Sequence, residues 1–128
     1  MDQMIPIESG FPIRQDQSGL IGVSWTPPNA LLLDFDTGKQ TIRVQFERIL
    51  AYRILDEVLD SIDGDMRKGA DPAGFAYEVQ NGTFLTSYPN IDLCFSHPSN
   101  PIKQYALISL SWCVEVLTDS SPTFCSVG

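Results

Sequence analysis

Histidine and cysteine are scarce in this chain, and each shortage excludes a class of site. His97 is the only histidine among 128 residues and has no cysteine pair near it, so a transition-metal site lacks ligands. The three cysteines show no Cys-x-x-Cys spacing, and their odd number argues against a disulfide framework. No glycine-rich phosphate cradle is present either. We therefore predict no metal site, no cofactor and a reducing compartment.

Long apolar runs and a basic leader are also missing. No stretch approaches the roughly 18 apolar residues that a membrane-spanning helix needs. The first ten residues carry Asp2 and Glu8, where a secretion signal has basic residues followed by an apolar run. We expect no membrane span and a cytoplasmic location.

Basic charge is in deficit. Sixteen acidic residues face eight basic ones, which gives a formal net charge of −8 at pH 7. Such a field repels phosphate backbones, so we predict no nucleic-acid binding. It attracts a cationic protein surface instead and steers that surface in quickly.

Apolar side chains are plentiful and occur in short runs. With 43% hydrophobic residues the chain can bury one core, and we predict a single domain over residues 1–128. Gly10 and nearby prolines make residues 1–18 an extended lead-in with room for one edge strand. Residues 118–128 are polar and are predicted to form a loosely held tail.

Several segments have the pattern of strands. Apolar or alternating runs bounded by turn residues occupy residues 19–25, 30–35, 75–79 and 104–110. After the second run, Asp36-Thr37-Gly38-Lys39 supplies the aspartate and glycine that a hairpin turn requires. The sequence therefore predicts antiparallel neighbours on either side of this turn.

Residues 41–62 admit two interpretations. Alternating apolar side chains favour one long strand to about Leu55, bulged near Arg48, followed by a helical turn over residues 56–61. The alternative is a helix from about Gln45, which would be apolar nearly all round. We favour the strand, because so small a protein cannot easily cover such a helix.

Two further short helices complete the prediction. One is a helical turn over residues 83–88, and the other is a helix over residues 112–117 with Ser111 as N-cap and Glu115 in its first turn. Many short strands with few short helices predict a mainly β fold, either a curled antiparallel sheet or a small sandwich. An α+β fold is the alternative.

Asp34 and Asp36 invite a catalytic interpretation. Paired aspartates after an apolar run also occur in haloacid dehalogenase phosphatases, yet Gly38 stands where that motif needs threonine. Asp36, Thr37 and Gly38 are similar to the aspartic-protease triplet, but Lys39 stands where that family has serine or alanine. A hairpin turn accounts for the same residues and needs no catalytic role.

Cys94 and His97 are the second candidate pair. They lie three residues apart, but nothing in the sequence orients the imidazole toward the thiol. A small hydrolase or ligand-binding domain that uses Asp34 and Asp36, or Cys94 and His97, is therefore an alternative. Our first expectation is a protein without catalytic residues.

Carboxylates gather in the middle of the chain, at Asp56, Glu57, Asp60, Asp63 and Asp65. They lack the closing bidentate glutamate of a calcium loop, so they predict no metal site. Tyr88 falls near a turn, and an aromatic ring beside carboxylates is typical of a binding hot spot. We predict that these six residues form a partner-binding surface.

Three stretches carry a resemblance to known proteins: FERILAYRILDE at 46–57, AYEVQN at 76–81 and YALISLSWCVEVL at 105–117. Their hydrophobic spacing resembles that of a group of small uncharacterised bacterial proteins linked to the immunity proteins of polymorphic toxin systems. The resemblance spans roughly the last two thirds of the chain. It implies a β-rich single domain that binds a toxin and performs no chemistry, and it assigns no catalytic residue.

Three functional classes follow, in order of preference. The first is a non-enzymatic protein-binding domain, an acidic immunity or inhibitor protein that masks a basic toxin. The second is the small hydrolase or ligand-binding domain, and the third is a structural or oligomerising domain. The sequence does not specify the oligomeric state.

Overall fold

Strands dominate the computed structural model, which describes residues 3–14, 17–26, 30–56, 74–88, 101–110 and 112–127, with Asp56 described in its backbone only. Of the described residues 61% lie in strands, so the prediction of a mainly β fold is confirmed. No helix in this part of the chain has the length and apolar character needed to cross a membrane. The elements are β1 (Gln3–Pro6), β2 (Gly19–Thr26), β3 (Ala30–Asp36), β4 (Thr41–Phe46), β5 (Ile49–Asp56), β6 (Ala76–Gln80), α1 (Thr83–Thr86), β7 (Lys103–Ile108), β8 (Trp112–Thr118) and β9 (Thr123–Ser126).

The described strands form two antiparallel sheets. One sheet has five strands in the order β1-β6-β7-β8-β5, and the other has four in the order β2-β3-β4-β9. A single cluster of buried side chains draws on both sheets, so the sheets pack face to face. This arrangement is the small sandwich that the strand spacing predicts.

Alternation along β3 and β4 produces the face that meets the five-stranded sheet. Every second side chain of these strands is fully buried, namely Leu31, Leu33, Phe35, Ile42, Val44 and Phe46. Across the core the ring of Phe35 meets Phe75 edge-on with 4.8 Å between centroids, and Phe46 lies 5.8 Å from Tyr105. Burying a side chain of this size contributes roughly 1.5–3 kcal/mol, so this layer holds the two sheets together.

The chain changes sheets at Arg48, between β4 and β5. The Arg48 guanidinium pairs with the buried carboxylate of Asp119, and the Thr118 hydroxyl donates to the Arg48 carbonyl oxygen. The structure has the strands β4 and β5 over residues 41–55 and no helix there, so the preference for strand is confirmed. A single continuous strand is wrong, because these bonds anchor a corner at Arg48. A bulge does occur near Arg48, at Leu50 of β5, where the pairing with β8 shifts register between Ile49 and Ala51. The helical turn predicted for residues 56–61 lies outside the described residues beyond Asp56.

Residues 112–117 belong to β8, so the short helix predicted there is wrong. β8 runs between β7 and β5 and is buried on both faces after Trp112. A strand covered on both faces shows no polar alternation, which removes the signal that distinguishes strand from helix. Ser111, the predicted N-cap, lies outside the described residues. Glu115, predicted for the first helical turn, is instead fully buried and pairs with Arg53.

Residues 118–128, expected to be a loosely held tail, contain the end of β8 and the strand β9. β9 extends the four-stranded sheet by pairing with β4, with Phe124 opposite Val44. The Val127 N–H donates to the Thr41 carbonyl oxygen at 2.9 Å, which continues the ladder. Phe124 packs against the core. One apolar side chain and the backbone hydrogen bonds to β4 therefore hold β9 in place, although its mostly polar sequence does not predict a strand.

The lead-in contributes the expected edge strand, and the helical turn predicted for residues 83–88 is present. β1 pairs with β6 at one edge of the five-stranded sheet. The turn predicted for residues 83–88 contains α1, and Phe84 packs with Ile102 and Leu117 on the outer face of that sheet. The residue before α1 is Gly82, which is buried against Gln104.

Gly82→Ala is expected to reduce the free energy of unfolding by about 1–3 kcal/mol. A Cβ atom at Gly82 would lie 2.1 Å from Oε1 of Gln104, whose side chain is fully buried and bonded at both ends. The backbone angles of Gly82, φ −68° and ψ 138°, suit alanine, so the loss measures the clash. Urea unfolding gives the value.

Gly19→Ala is the matched control, because a Cβ at Gly19 meets no atom within 4 Å. Its effect is expected to stay within about 0.5 kcal/mol. Equal losses in the two variants would contradict the close approach of Gly82 to Gln104.

Candidate functional site

The acidic residues predicted to bind a partner fall mostly outside the described part of the chain. Glu57, Asp60, Asp63 and Asp65 lie there, so their role stays a prediction. The backbone of Asp56 ends β5, directly opposite Trp112.

Tyr88, the sixth predicted residue, follows α1 and is exposed. Its ring meets Phe84 edge-on with 5.8 Å between centroids, and its N–H donates to the Leu85 carbonyl oxygen. Tyr88 is therefore held against α1 by local contacts while its other face remains open to solvent.

The aspartates considered for hydrolysis have structural partners. Both carboxylate oxygens of Asp34 accept hydrogen bonds from Arg43, at 2.8 and 3.1 Å, and this pairing raises the pKa of the Arg43 guanidinium above its usual value. Oδ1 of Asp36 accepts the Gly38 N–H at 2.8 Å, so the predicted hairpin turn is confirmed. Cys94 and His97 lie outside the described residues.

The described residues contain no group of three or more His, Cys, Asp or Glu side chains that could hold a metal ion. Asp34, Glu78, Glu115 and Asp119 form ion pairs, and Asp36 stabilises a turn.

Three exposed apolar side chains surround an open depression of about 470 Å³ where β2 meets the turn between β7 and β8. Ile21 is 61% exposed, Leu110 is 58% exposed and Trp112 is 39% exposed. Ser18 and Asp36 also line this surface, which we name the apolar depression. Exposed apolar groups that converge on one concave surface mark interaction sites more often than scattered ones do.

Local backbone geometry brings these three residues together. The pairing of β2 with β3 shifts register between Leu20 and Gly22, so Ile21 occupies a bulge. The Leu110 N–H donates to the Ser18 carbonyl oxygen at 2.9 Å, which ties the β7–β8 turn to the start of β2. The Ser109 N–H donates to the Trp112 carbonyl oxygen at 2.9 Å and closes that turn.

Ser18 has an unusual hydroxyl group. The residue is only 3% exposed, and among the described atoms its Oγ has no hydrogen-bond partner. A buried hydroxyl without a partner costs about 1–3 kcal/mol. Ser18 lines the apolar depression, but its Oγ is itself buried, so the hydroxyl is not open to an incoming molecule.

A second assembly of polar groups lies on the outer face of the five-stranded sheet. Nε and Nη2 of Arg53 donate to the fully buried carboxylate of Glu115 at 3.0 and 3.2 Å, and the Gln104 amide donates to it at 3.2 Å. Oε1 of Gln104 accepts the Leu85 N–H at 3.0 Å, and the Arg53 guanidinium lies 4.5 Å from the centroid of the Phe84 ring. These contacts fix α1 to the sheet, so the assembly is structural.

The sequence did not identify the apolar depression, because its residues belong to three separate segments. Two local signals point to it. The apolar neighbours Leu20 and Ile21 precede Gly22 and break the alternation of β2, which is typical of a bulge. Leu110 stands alone between two serines in a turn, where a large apolar side chain has no core to enter.

Comparison with known proteins adds no relative. No protein-family model, no curated protein and no solved structure matches this chain.

Glu115→Gln is expected to reduce the free energy of unfolding by about 2–4 kcal/mol, because it removes the charge that compensates the Arg53 guanidinium inside the fold. Denaturant unfolding monitored by tryptophan fluorescence gives the value. Glu78→Gln is the control: Glu78 pairs with Lys103 at 3.3 Å on the surface, and its loss is expected to cost less than about 1 kcal/mol. If both variants lose the same stability, Glu115 has no special role.

Proposed function

We propose that this chain is a non-enzymatic protein-binding domain that masks a cationic protein, as an immunity or inhibitor protein masks a basic toxin, and that it acts in the cytoplasm. The observation that carries the proposal is the apolar depression, where Ile21, Leu110 and Trp112 stand exposed around one concave surface. A partner that inserts an apolar side chain there gains the free energy of removing these groups from water.

Trp112 is the expected centre of the contact. Tryptophan is enriched among the few interface residues that contribute most of the binding free energy, because its large ring buries much area with little loss of side-chain entropy. Leu110 and Ile21 flank it and would exclude water from the contact.

Charge favours a cationic partner. In the described residues, four acidic side chains are already paired with bases, in Asp34–Arg43, Asp119–Arg48, Glu115–Arg53 and Glu78–Lys103. Half of the surplus comes from residues 56–71, which hold six acids and two bases. This stretch begins at Asp56, opposite Trp112, so the acidic sequence starts beside the apolar depression. Such a surplus speeds the encounter with a basic surface.

Trp112→Ala is expected to weaken binding of the cationic partner by about ten- to a hundredfold, because it removes the central apolar contact. The partner is captured at low salt on the immobilised chain, identified and purified, and its affinity is measured by calorimetry. Leu110→Ser tests the same surface without loss of packing, because Leu110 lies exposed in a turn. Tyr52→Ala on β5 removes an exposed aromatic ring outside the depression and is expected to leave affinity unchanged.

Rising salt is expected to slow association with the same partner. Neutralising Asp56, Glu57, Asp60 and Asp63 together is expected to reduce the association rate and the affinity. Unchanged affinity in this variant contradicts the acidic part of the proposal. Unchanged affinity in both Trp112→Ala and Leu110→Ser contradicts the apolar part.

A further inference from the structure

Beyond its bulge, the outer edge of β2 lacks the features by which most sheet edges avoid pairing. β2 lies at the end of the four-stranded sheet, and none of its eight residues is charged. After the bulge it runs straight from Gly22 to Thr26, with Val23 39% exposed and Trp25 54% exposed. Natural edge strands usually carry charges, prolines or bulges along their length. Here the bulge protects only the first part of the strand.

The hairpin between β3 and β4 determines which backbone groups of β2 face this edge. The Thr37 N–H donates to the Gln40 carbonyl oxygen at 2.9 Å, so odd-numbered residues of β3 are bonded to β4. Even-numbered residues such as Leu32 are therefore bonded to β2, where Leu32 lies opposite Ser24. The N–H and C=O groups of Val23 and Trp25 consequently point to the edge that no described strand covers.

We propose that the free edge of β2 pairs with β2 of a second copy of this chain, antiparallel about a twofold axis at Ser24. In this register Val23 of each copy lies opposite Trp25 of the other. Both pairs are of the hydrogen-bonded type, so each exchanges two N–H···O bonds. The two four-stranded sheets then join into one continuous sheet through an isologous contact.

Side-chain chemistry favours a second copy as the occupant. Cross-strand pairs of an aromatic and a β-branched residue are among the favourable ones in sheets, and this register makes two Val23–Trp25 pairs on the same face. On the opposite face Ser24 meets its own copy, with Gly22 opposite Thr26. An uncharged edge offers a cationic segment no carboxylate to pair with, so the partner that suits it is also uncharged.

Long-range electrostatic repulsion acts against this pairing, so the pairing should depend on salt concentration in a distinctive way. Each copy carries a formal charge of −8, so two copies repel one another. The nearest carboxylate on the adjoining strand, that of Asp34, is compensated by Arg43. Salt screens the remaining repulsion, so self-association strengthens as ionic strength rises. Binding of a cationic partner weakens over the same range, which separates this inference from the proposed function.

Sedimentation equilibrium of the full chain tests the proposal. The average mass is expected to rise from 14.2 kDa toward twice that value as the concentration increases from about 1 µM to about 1 mM, and to rise earlier at high salt. Trp25→Lys is expected to raise the dissociation constant at least about tenfold, because it places a charge in the pairing edge. Amide exchange measured by NMR is expected to slow at Val23 and Trp25 in the dimer.

Tyr52→Lys is the matched control, because Tyr52 is similarly exposed on the edge strand β5 and the substitution changes the net charge equally. It is expected to leave the dissociation constant within about twofold, apart from the small gain from reduced repulsion. A protein that stays monomeric throughout the concentration range overturns the proposal. So does a dimer that Trp25→Lys leaves intact or that leaves the Val23 and Trp25 amides exchanging as in the monomer.

Discussion

Burial of β8 on both of its faces is the constraint on which the five-stranded sheet depends. One face joins the sandwich core through Val114 and Val116, and the other lies beneath α1 and its neighbours through Leu117. A strand in this position cannot expose a polar side chain, so Glu115 at its centre requires a compensating partner. Arg53 on β5 and Gln104 on β7 provide it from the two adjoining strands. The ion pair thus fixes the register of three strands as well as satisfying a buried charge.

Pairing of basic with acidic side chains also determines the charge of the surface. Each of the four basic side chains Arg43, Arg48, Arg53 and Lys103 is matched with one acid inside the described fold. The described residues hold eight acids and six bases, so the sandwich itself is close to neutral. Several of its exposed apolar side chains lie on β2 and the β7–β8 turn. Half of the acidic surplus belongs to residues 56–71 of the sequence. In the proposed complex, apolar contact and electrostatic steering would come from different parts of the chain. Apolar contact would act on dissociation, and steering would act on association.

The sequence was most informative where structure is determined by neighbouring residues. The turn at Asp36 and Gly38, the strands on either side of it and the helical turn at Phe84 follow from local pattern and turn chemistry. Prediction failed at β8, because burial on both faces removes the alternation, and at β9, because backbone pairing with β4 needs little apolar sequence. The corner at Arg48 depends on Asp119, which is remote in sequence.

The candidate site could not be predicted from the sequence. The depression arises where Ile21, Leu110 and Trp112 converge, and this convergence depends on tertiary contacts such as the bond from Leu110 to Ser18. Composition alone does give the net charge of −8, which is compatible with the cationic partner proposed above. The surface that would meet such a partner could be found only once the strands were placed.

The bulge at Ile21 connects the two surfaces of β2 and keeps them separate. At the bulge, Ile21 lines the apolar depression. After the bulge, the backbone N–H and C=O groups of Val23 and Trp25 point to the outer edge of β2. A bulge shifts the alternation of a strand by one residue, so one strand can present side chains to one contact and backbone to another. A straight β2 would place Ile21 in the regular ladder and remove it from the depression. The apolar depression therefore depends on the bulge, and pairing along the outer edge of β2 would leave Leu110 and Trp112 uncovered.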